Sequence, residues 1–277
     1  MFYIVCALAA EARPLISALS LRKDDHACPY DTYFSEDSTC VLVLSGMGNV
    51  AASSAASYLL TRFGFRPDRD FLLNFGSCAG SIPGLYLIHK ITDEVTGRVF
   101  YPDMLYDLSS CGLPLSSEKA LVTVPKVISS LPDPDLLYEM EASGIFQSAS
   151  RFCPPHRMIF LKYVSDSGEE DPKNITSALL TERAMEQLPH VLSVLEYLGK
   201  EECPEELIDE DLYISTCLGL RLSETMRHEL RQLFFYAKAS GQDIESILSG
   251  LASEEKIPAR SKKEGKEVIN VIRDRLL

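Results

Sequence analysis

Residues 136–146, LLYEMEASGIF, set two carboxylates, Glu139 and Glu141, into an otherwise apolar run. Burying an unpaired carboxylate is expensive, so the fold must supply groups that receive them. Two glycine-rich turns follow apolar segments earlier in the chain, SGMGNVA (45–51) and GSCAGSIPG (76–84). The first contains G-x-G-x-x-A between a predicted strand and a predicted helix, the pattern of dinucleotide-binding turns. That pattern wants an acid at the tip of the next strand, about 20 residues on, to hold a ribose hydroxyl. The next strand ends LLNFGSCAG and has none. Two adjacent glycine turns at strand ends would bring backbone amides close to one small ligand; ordinary tight strand-to-helix turns would read the same way.

The elements that position these residues alternate. FYIVCAL (2–8), TCVLVLS (39–45), DFLLNFGS (70–77), LYLIHKITDEV (85–95), ALVTVPKVI (120–128) and RMIFLKYVSD (157–166) read as strands, the last ending at Asp166. AASSAASYLLTRFGF reads as an Ala/Ser-rich helix with a Gly stop, and residues 135–152 as a short strand running into a helix. Residues 177–198 have helical spacing, with a break or kink predicted at Pro189. Alternating strands and helices indicate a layered α/β domain, whose special residues cluster at the carboxyl ends of strands. After about residue 199 the character changes to an acidic segment, KEECPEELIDEDL, and then to helical patterns alone. In the last of these Val268, Ile269, Val271, Ile272 and Leu276 form one apolar stripe. The basic residues between Arg260 and Lys266 read as a solvated face.

Composition bounds the function. The chain has 277 residues, 46% hydrophobic, with a net charge of -13. An acidic surface of that size argues against binding to nucleic-acid backbones, which need a basic footprint. No segment reaches the ~18 apolar residues of a membrane span. MFYIVCALAA imitates a signal peptide but lacks a basic start and reads as a first buried strand. The cysteines show no C-x-x-C and read as buried thiols of a reducing, cytoplasmic protein without metal or disulfide framework. In that setting the N-I-T sequon at Asn174 is a chance match.

Five segments in order resemble the nucleoside phosphorylase/nucleosidase superfamily, and within it the methylthioadenosine/S-adenosylhomocysteine nucleosidases. ALAAEARPL looks like that family's first strand ending in a catalytic Glu, SGMGNVAA like its S-G-x-G-x-V-x-A turn, and NFGSCAG like its N-x-G-S-x-G-G turn. YEMEASGIF looks like its E-M-E-A ribose motif and VSDSGEED like its S-D motif. The match covers roughly residues 1–199. It implies a three-layer α/β/α nucleoside phosphorylase-like domain with a mixed central sheet over 1–199, and a helical C-terminal extension over 200–277.

The resemblance gives each acid a role. Glu141 would bind the ribose hydroxyls, with Met140 beneath the sugar; a carboxylate suits this because it accepts from two vicinal hydroxyls at once. An acid favoured at a helix start by the macrodipole is the structural alternative there. Glu139 would lie beside the sugar site. Asp166, after Ser165, would protonate the purine, a poor leaving group while neutral. An acid keeps that proton near neutrality only where burial or a like charge favours its neutral form. Glu11, read as closing the first strand, would activate water. Ser77 with Gly76 and the following amides would position that water or the ribose, and Leu8 and Gly46 would complete the pocket.

Departures from the family pattern matter too. Phosphorylases of this superfamily carry a phosphate-binding Arg two residues before the G-S turn, where this chain has Asn74. It also lacks their N-terminal G-D-P-x-R segment, so water is favoured over phosphate. Lys162 stands where nucleosidases usually carry Arg, which keeps the charge but loses the bidentate fork. Val127 and Ile128 replace a Phe-Ile pair facing the purine, and FYPDM (100–104) has Pro102 for a family His. The expectation is a cytoplasmic, cofactor-free hydrolase of a 5′-modified adenosine, with no membrane or nucleic-acid partner, forming a homodimer. A phosphorylase of the same fold and a catalytically weak nucleoside-binding module remain open, with a dinucleotide-binding oxidoreductase more distant.

Overall fold

The computed structural model describes residues 1–26, 29–168, 174–200 and 208–276. Cys28, Cys203, the acids at 169–171 and most of the acidic segment after 200 lie outside these residues. The chain divides into two compact units, 1–201 and 202–277.

The first unit alternates strand and helix: β1 (Phe2–Cys6), α1 (Ala9–Ala18), β2 (Arg22–Lys23), β3 (Thr32–Phe34), β4 (Cys40–Leu44), α2 (Asn49–Arg62), β5 (Phe71–Ala79), β6 (Leu85–Asp93), β7 (Val99–Phe100), β8 (Glu118–Thr123), β9 (Leu137–Glu139), α3 (Ala142–Ala149), β10 (Met158–Asp166) and α4 (Ser177–Gly199). Strands β1 and β5 are buried along nearly their whole length, as strands covered on both faces must be. The sheet is mixed. β4, β1, β5 and β10 run parallel, while β6 is antiparallel to β10 and β3 to β4. β5 also meets β9 at the pair Ala79 and Tyr138, so β5, β10, β6, β8 and β9 close into a ring.

Two helices cover each face. On one side the small residues Ala52, Ala55 and Ala56 of α2 pack with Ile145 and Phe146 of α3 against Tyr3, Val5 and Leu72. On the other, Ala12 and Leu15 of α1 pack with Val191, Val194 and Leu195 of α4 against Ile4, Leu73 and Leu161. These are the three layers of the expected α/β/α domain with a mixed sheet.

Two prolines behave differently from their sequence signal. Pro189 was expected to break or kink its helix, yet α4 runs continuously through it. Pro189 and Met185, whose carbonyl loses its donor, are both exposed, so water can replace the missing bond. Pro14 sits inside α1 and deprives the Ala10 carbonyl of its partner. Here the Thr181 hydroxyl of α4 donates to that carbonyl at 3.0 Å. The strand expected over 120–128 stops at Thr123, two residues before Pro125, which has no N–H to continue a ladder.

The second unit is helical: α5 (Glu210–Gly219), α6 (Glu224–Ser240), α7 (Ile244–Ser253) and α8 (Lys262–Leu276). Its own core includes Leu220, Leu230, Phe234, Leu251 and, from the α8 stripe, Val268, Ile269, Ile272 and Leu276. The six described cysteines are buried free thiols. No described helix is long and apolar enough to cross a membrane.

Candidate active site

Glu11 does not close the first strand. β1 ends at Cys6, and Glu11 lies in the first turn of α1. Leu8 offers no side-chain oxygen to cap that helix, so Glu11 reaches back: its Oε2 accepts the Leu8 N–H at 2.9 Å. Its Oε1 accepts both the N–H of Ser77, at 2.9 Å, and the Ser77 hydroxyl, at 2.6 Å. Gly76 makes this approach possible, because a Cβ there would sit 3.3 Å from that oxygen. The carboxylate is thereby fixed at the end of β5.

The two carboxylates of the EME segment part company. Glu139, at the end of β9, turns to the start of α3. It accepts the N–H of Glu141 at 2.9 Å and that of Ala142 at 2.9 Å. It also takes the Thr123 hydroxyl at 2.7 Å and the Lys162 ammonium at 3.0 Å. The helix-start role considered for Glu141 thus belongs to Glu139, whose charge satisfies otherwise orphaned amides. Lys162 is 1% exposed, and although burial pulls its pKa down, the surrounding carboxylates of Glu139, Glu141 and Glu11 hold it above the ordinary lysine value.

Glu141 faces the other way. Its Oε1 accepts the Gly48 N–H at 2.8 Å and its Oε2 the Met140 N–H at 3.3 Å. Gly48 adopts φ 97, a backbone state that favours glycine, and this turns its amide toward the carboxylate. Burial, reinforced by the charge of Glu139 and opposed by Lys162, pushes the Glu141 carboxyl up to about 7.

Asp166 ends β10 just after a register shift against β5 between Val164 and Asp166. A bulge re-aims the side chains beside it. The Ser165 hydroxyl donates to Asp166 Oδ2 at 2.7 Å, and the Gly168 N–H donates to Oδ1 at 2.9 Å.

These elements enclose one cavity of about 330 Å³, within the usual range for small-molecule sites of about 300–1,000 Å³. Leu8, Glu11, Ser77, Met140, Glu141 and Asp166 line it, as do Glu139, Ser165, Val127 and Ile128. Gly46, Gly76 and Lys162 are not on its wall. Gly46 shapes the turn after β4, Gly76 admits Glu11, and Lys162 lies behind Glu139. Residues that the sequence reading did not name also line it: Met47, Cys78, Val124, Tyr138, Ile175 and Leu180 among them. Met47 lies inside the first glycine turn and Tyr138 inside the EME segment, so proximity to those motifs was the available signal. Ile175 lies just before α4 and Leu180 in its first turn, a segment that carries no motif. Among the described residues no Lys, Arg or His stands on the wall. Asn74, buried in β5, gives its amide to the Val5 carbonyl at 3.0 Å and is likewise off the wall. Among the described residues no cluster of three or more His, Cys, Asp or Glu side chains is placed to hold a metal ion.

No protein-family model matches the chain, and no curated protein matches it by sequence. Solved structures do match. A 5′-methylthioadenosine/S-adenosylhomocysteine nucleosidase from Colwellia psychrerythraea, in complex with adenine, aligns with a TM-score of 0.59 and 22% identity over 72% of this chain and 96% of its own. The apo 5′-methylthioadenosine nucleosidase of Arabidopsis thaliana aligns with a TM-score of 0.61 and 17% identity, over 73% of this chain and 97% of its own. A futalosine hydrolase mutant from Helicobacter pylori gives 0.58 and 11%, over 71% and 98%. The first unit thus shares the fold of these solved nucleosidases.

Proposed function

We propose that the protein hydrolyses the N-glycosidic bond of a purine nucleoside, a 5′-modified adenosine such as methylthioadenosine, S-adenosylhomocysteine or 5′-deoxyadenosine. The observation that carries this reading is the convergence of Glu11, Glu141 and Asp166, from three separate elements, on one cavity whose wall, among the described residues, holds no cation. N-glycosidic cleavage passes through an oxocarbenium-like state, which such carboxylates suit. A phosphate nucleophile would need a cationic anchor.

In this reading Glu141 accepts the ribose hydroxyls and Met140 lies beneath the sugar. Asp166 gives a proton to the purine N7 as the bond to the sugar breaks, and the bonding pair leaves with the base. Glu11 takes a proton from the water that adds to the anomeric carbon, and Ser77 orients that water. Among the described residues, Tyr138 is the aromatic ring on the cavity wall. Its hydroxyl accepts the Asp133 N–H at 2.9 Å, which fixes the ring beside the Val127–Ile128 segment. It takes the base-facing role that a Phe would otherwise fill. Water is the co-substrate, no cofactor is required, and we extend the reading to a homodimer in the cytoplasm.

The neighbours support this: one was solved with adenine and another, from Neisseria meningitidis, with methylthio-immucillin-A. Incubation with a nucleoside panel that includes futalosine, with and without phosphate, tests it by chromatography of the released base. Phosphate-independent release of adenine is expected. Ribose-1-phosphate formed only with phosphate would identify a phosphorylase. Tight binding with no release would identify a nucleoside-binding module.

A further inference from the structure

We propose that Lys162 is a positioning residue for Glu141: its ammonium, locked to Glu139 behind the cavity wall, fixes the place and the charge of the Glu141 carboxylate and so sets the lower pH limit of nucleoside binding. The binding half of this statement rests on the reading of Glu141 as the ribose ligand.

The geometry is a chain of contacts. Lys162 registers with Gly76 of β5, and paired residues of parallel strands project to the same face of a sheet. On that face a Cβ at Gly76 would meet the Glu11 carboxylate. Lys162 Nζ meets Glu139 Oε2 at 3.0 Å, and the same oxygen accepts the backbone N–H of Glu141 at 2.9 Å. Lys162 therefore neutralises the group that grips the Glu141 backbone.

The charges around Glu141 are unbalanced. Glu139 acts on it from β9 and Glu11 from α1, and Asp166 at the end of β10 lines the same cavity. Asp93 of β6 lies behind, bonded to Ser143 and Asn49 at the start of α3 and α2. Lys162 is the cation that acts on Glu141 from within this group. Burial and the neighbouring acids favour a neutral carboxyl, while Lys162 favours the carboxylate. Only the carboxylate can accept a sugar hydroxyl at each oxygen while keeping its bonds from the Gly48 and Met140 amides. Nucleoside binding should then weaken about tenfold per pH unit below the Glu141 midpoint, because one proton must leave.

The test titrates the Glu141 side-chain carbon by ¹³C NMR in the free protein, assigned by its loss in E141Q, and measures adenosine affinity against pH by calorimetry. In K162M the Glu141 midpoint should rise by about one unit or more, the usual effect of losing an opposite charge nearby. K162R should return it to within about half a unit, and E139Q, which removes a like charge, should lower it. The affinity limb should move with the midpoint in each case. An unmoved midpoint in folded K162M overturns the proposal. Should K162M not fold, E139Q decides in its place, and an unmoved midpoint there is equally fatal. The titration needs no nucleoside. Failure of the functional reading would appear separately, as wild-type protein that binds adenosine at no pH.

Discussion

The two units bury different things. The first encloses charged side chains, Glu11, Asp24, Asp70, Asp93, Glu139, Glu141, Arg157 and Lys162, each less than a tenth exposed. In the second, among the described residues, the one buried polar side chain is Thr216, and the core is otherwise apolar. Its ion pairs, such as Arg231 with Glu210 and Arg275 with Glu254, lie at the surface with both partners a third or more exposed. A domain that only needs to fold gains nothing from burying charge, because desolvation commonly exceeds the Coulombic return. On the proposed reading, the contrast separates the unit that would hold chemistry from one that closes on an apolar core.

The sharpest way to break this comparison is at Asp166. If the half-buried Asp166 at the cavity wall serves catalysis, D166N should still bind nucleoside yet release base about 10²–10⁴-fold more slowly, the usual range for general acid help. The defect should shrink for a nitrophenyl riboside, whose leaving group needs no proton. A helix- or turn-capping role alone would leave the rate unchanged and cost about 0.5–2 kcal/mol of stability. Turnover of both substrates with a melting curve separates these outcomes.

The second experiment sets one ion pair from each unit side by side. K162M strands a buried carboxylate and should cost about 3–5 kcal/mol, whereas R231M, at a surface pair, should cost about 1 kcal/mol or less. Denaturant melts of both variants read the difference. Comparable losses would mean that burial does not distinguish the two regions energetically.

The third concerns Glu141. E141Q should weaken binding of ribonucleosides by roughly 1.5–3 kcal/mol, the range for bonds to charged groups, and hurt a 2′-deoxy substrate less. The same change should raise stability at alkaline pH. The Glu141 carboxyl is held up to about 7 in the folded protein, above an ordinary carboxyl near 4.5. Folding thus favours its protonated form, and that contribution is full below about 4.5 and is lost as pH rises toward and through 7. Wild type should accordingly melt earlier at pH 8 than at pH 5, relative to E141Q. Parallel melting curves at both pH values would show that Glu141 is not desolvated as described.

The smallest effect is expected from removing the second unit. The wall residues all lie before residue 181, and the apolar clusters that support them draw on the first unit alone. A chain ending at Glu201 should keep its turnover number within about threefold, measured on the best substrate of the panel. A folded truncation without turnover would place part of the chemistry in the helical unit.

Much of the layered architecture was legible because its strands are long and apolar and α2 has a Gly stop. Short strands such as Arg22–Lys23 and Val99–Phe100 were not, since two residues carry no periodicity. Glu11 was misplaced for a physical reason: Leu8 is a poor capping residue, and the cap is supplied from inside the helix by Glu11 itself. The carboxylate pair at 139 and 141 was visible, but the division of labour between them was not. That division depends on Lys162 and Thr123, 23 and 16 residues away from Glu139, which local spacing does not report. Tyr138 lies within the EME segment, where the adjacent carboxylates carry the chemical signal and a lone aromatic reads as core.

The ring of strands has a consequence for motion. β5 bonds to β1, β10 and β9, and β10 returns through β6 and β8 to the same point. Elements that open by small fluctuations are those with few buried contacts and exposed backbone hydrogen bonds. β5 has neither property, and it cannot peel away as an edge strand can. Its amides should exchange with deuterium only when the whole unit unfolds, while those of β2 and β3 at the far edge exchange earlier. Ser77, whose amide and hydroxyl hold Glu11, should therefore sit on the slowest-exchanging part of the first unit, and the site's precision would be inherited from the free energy needed to open it.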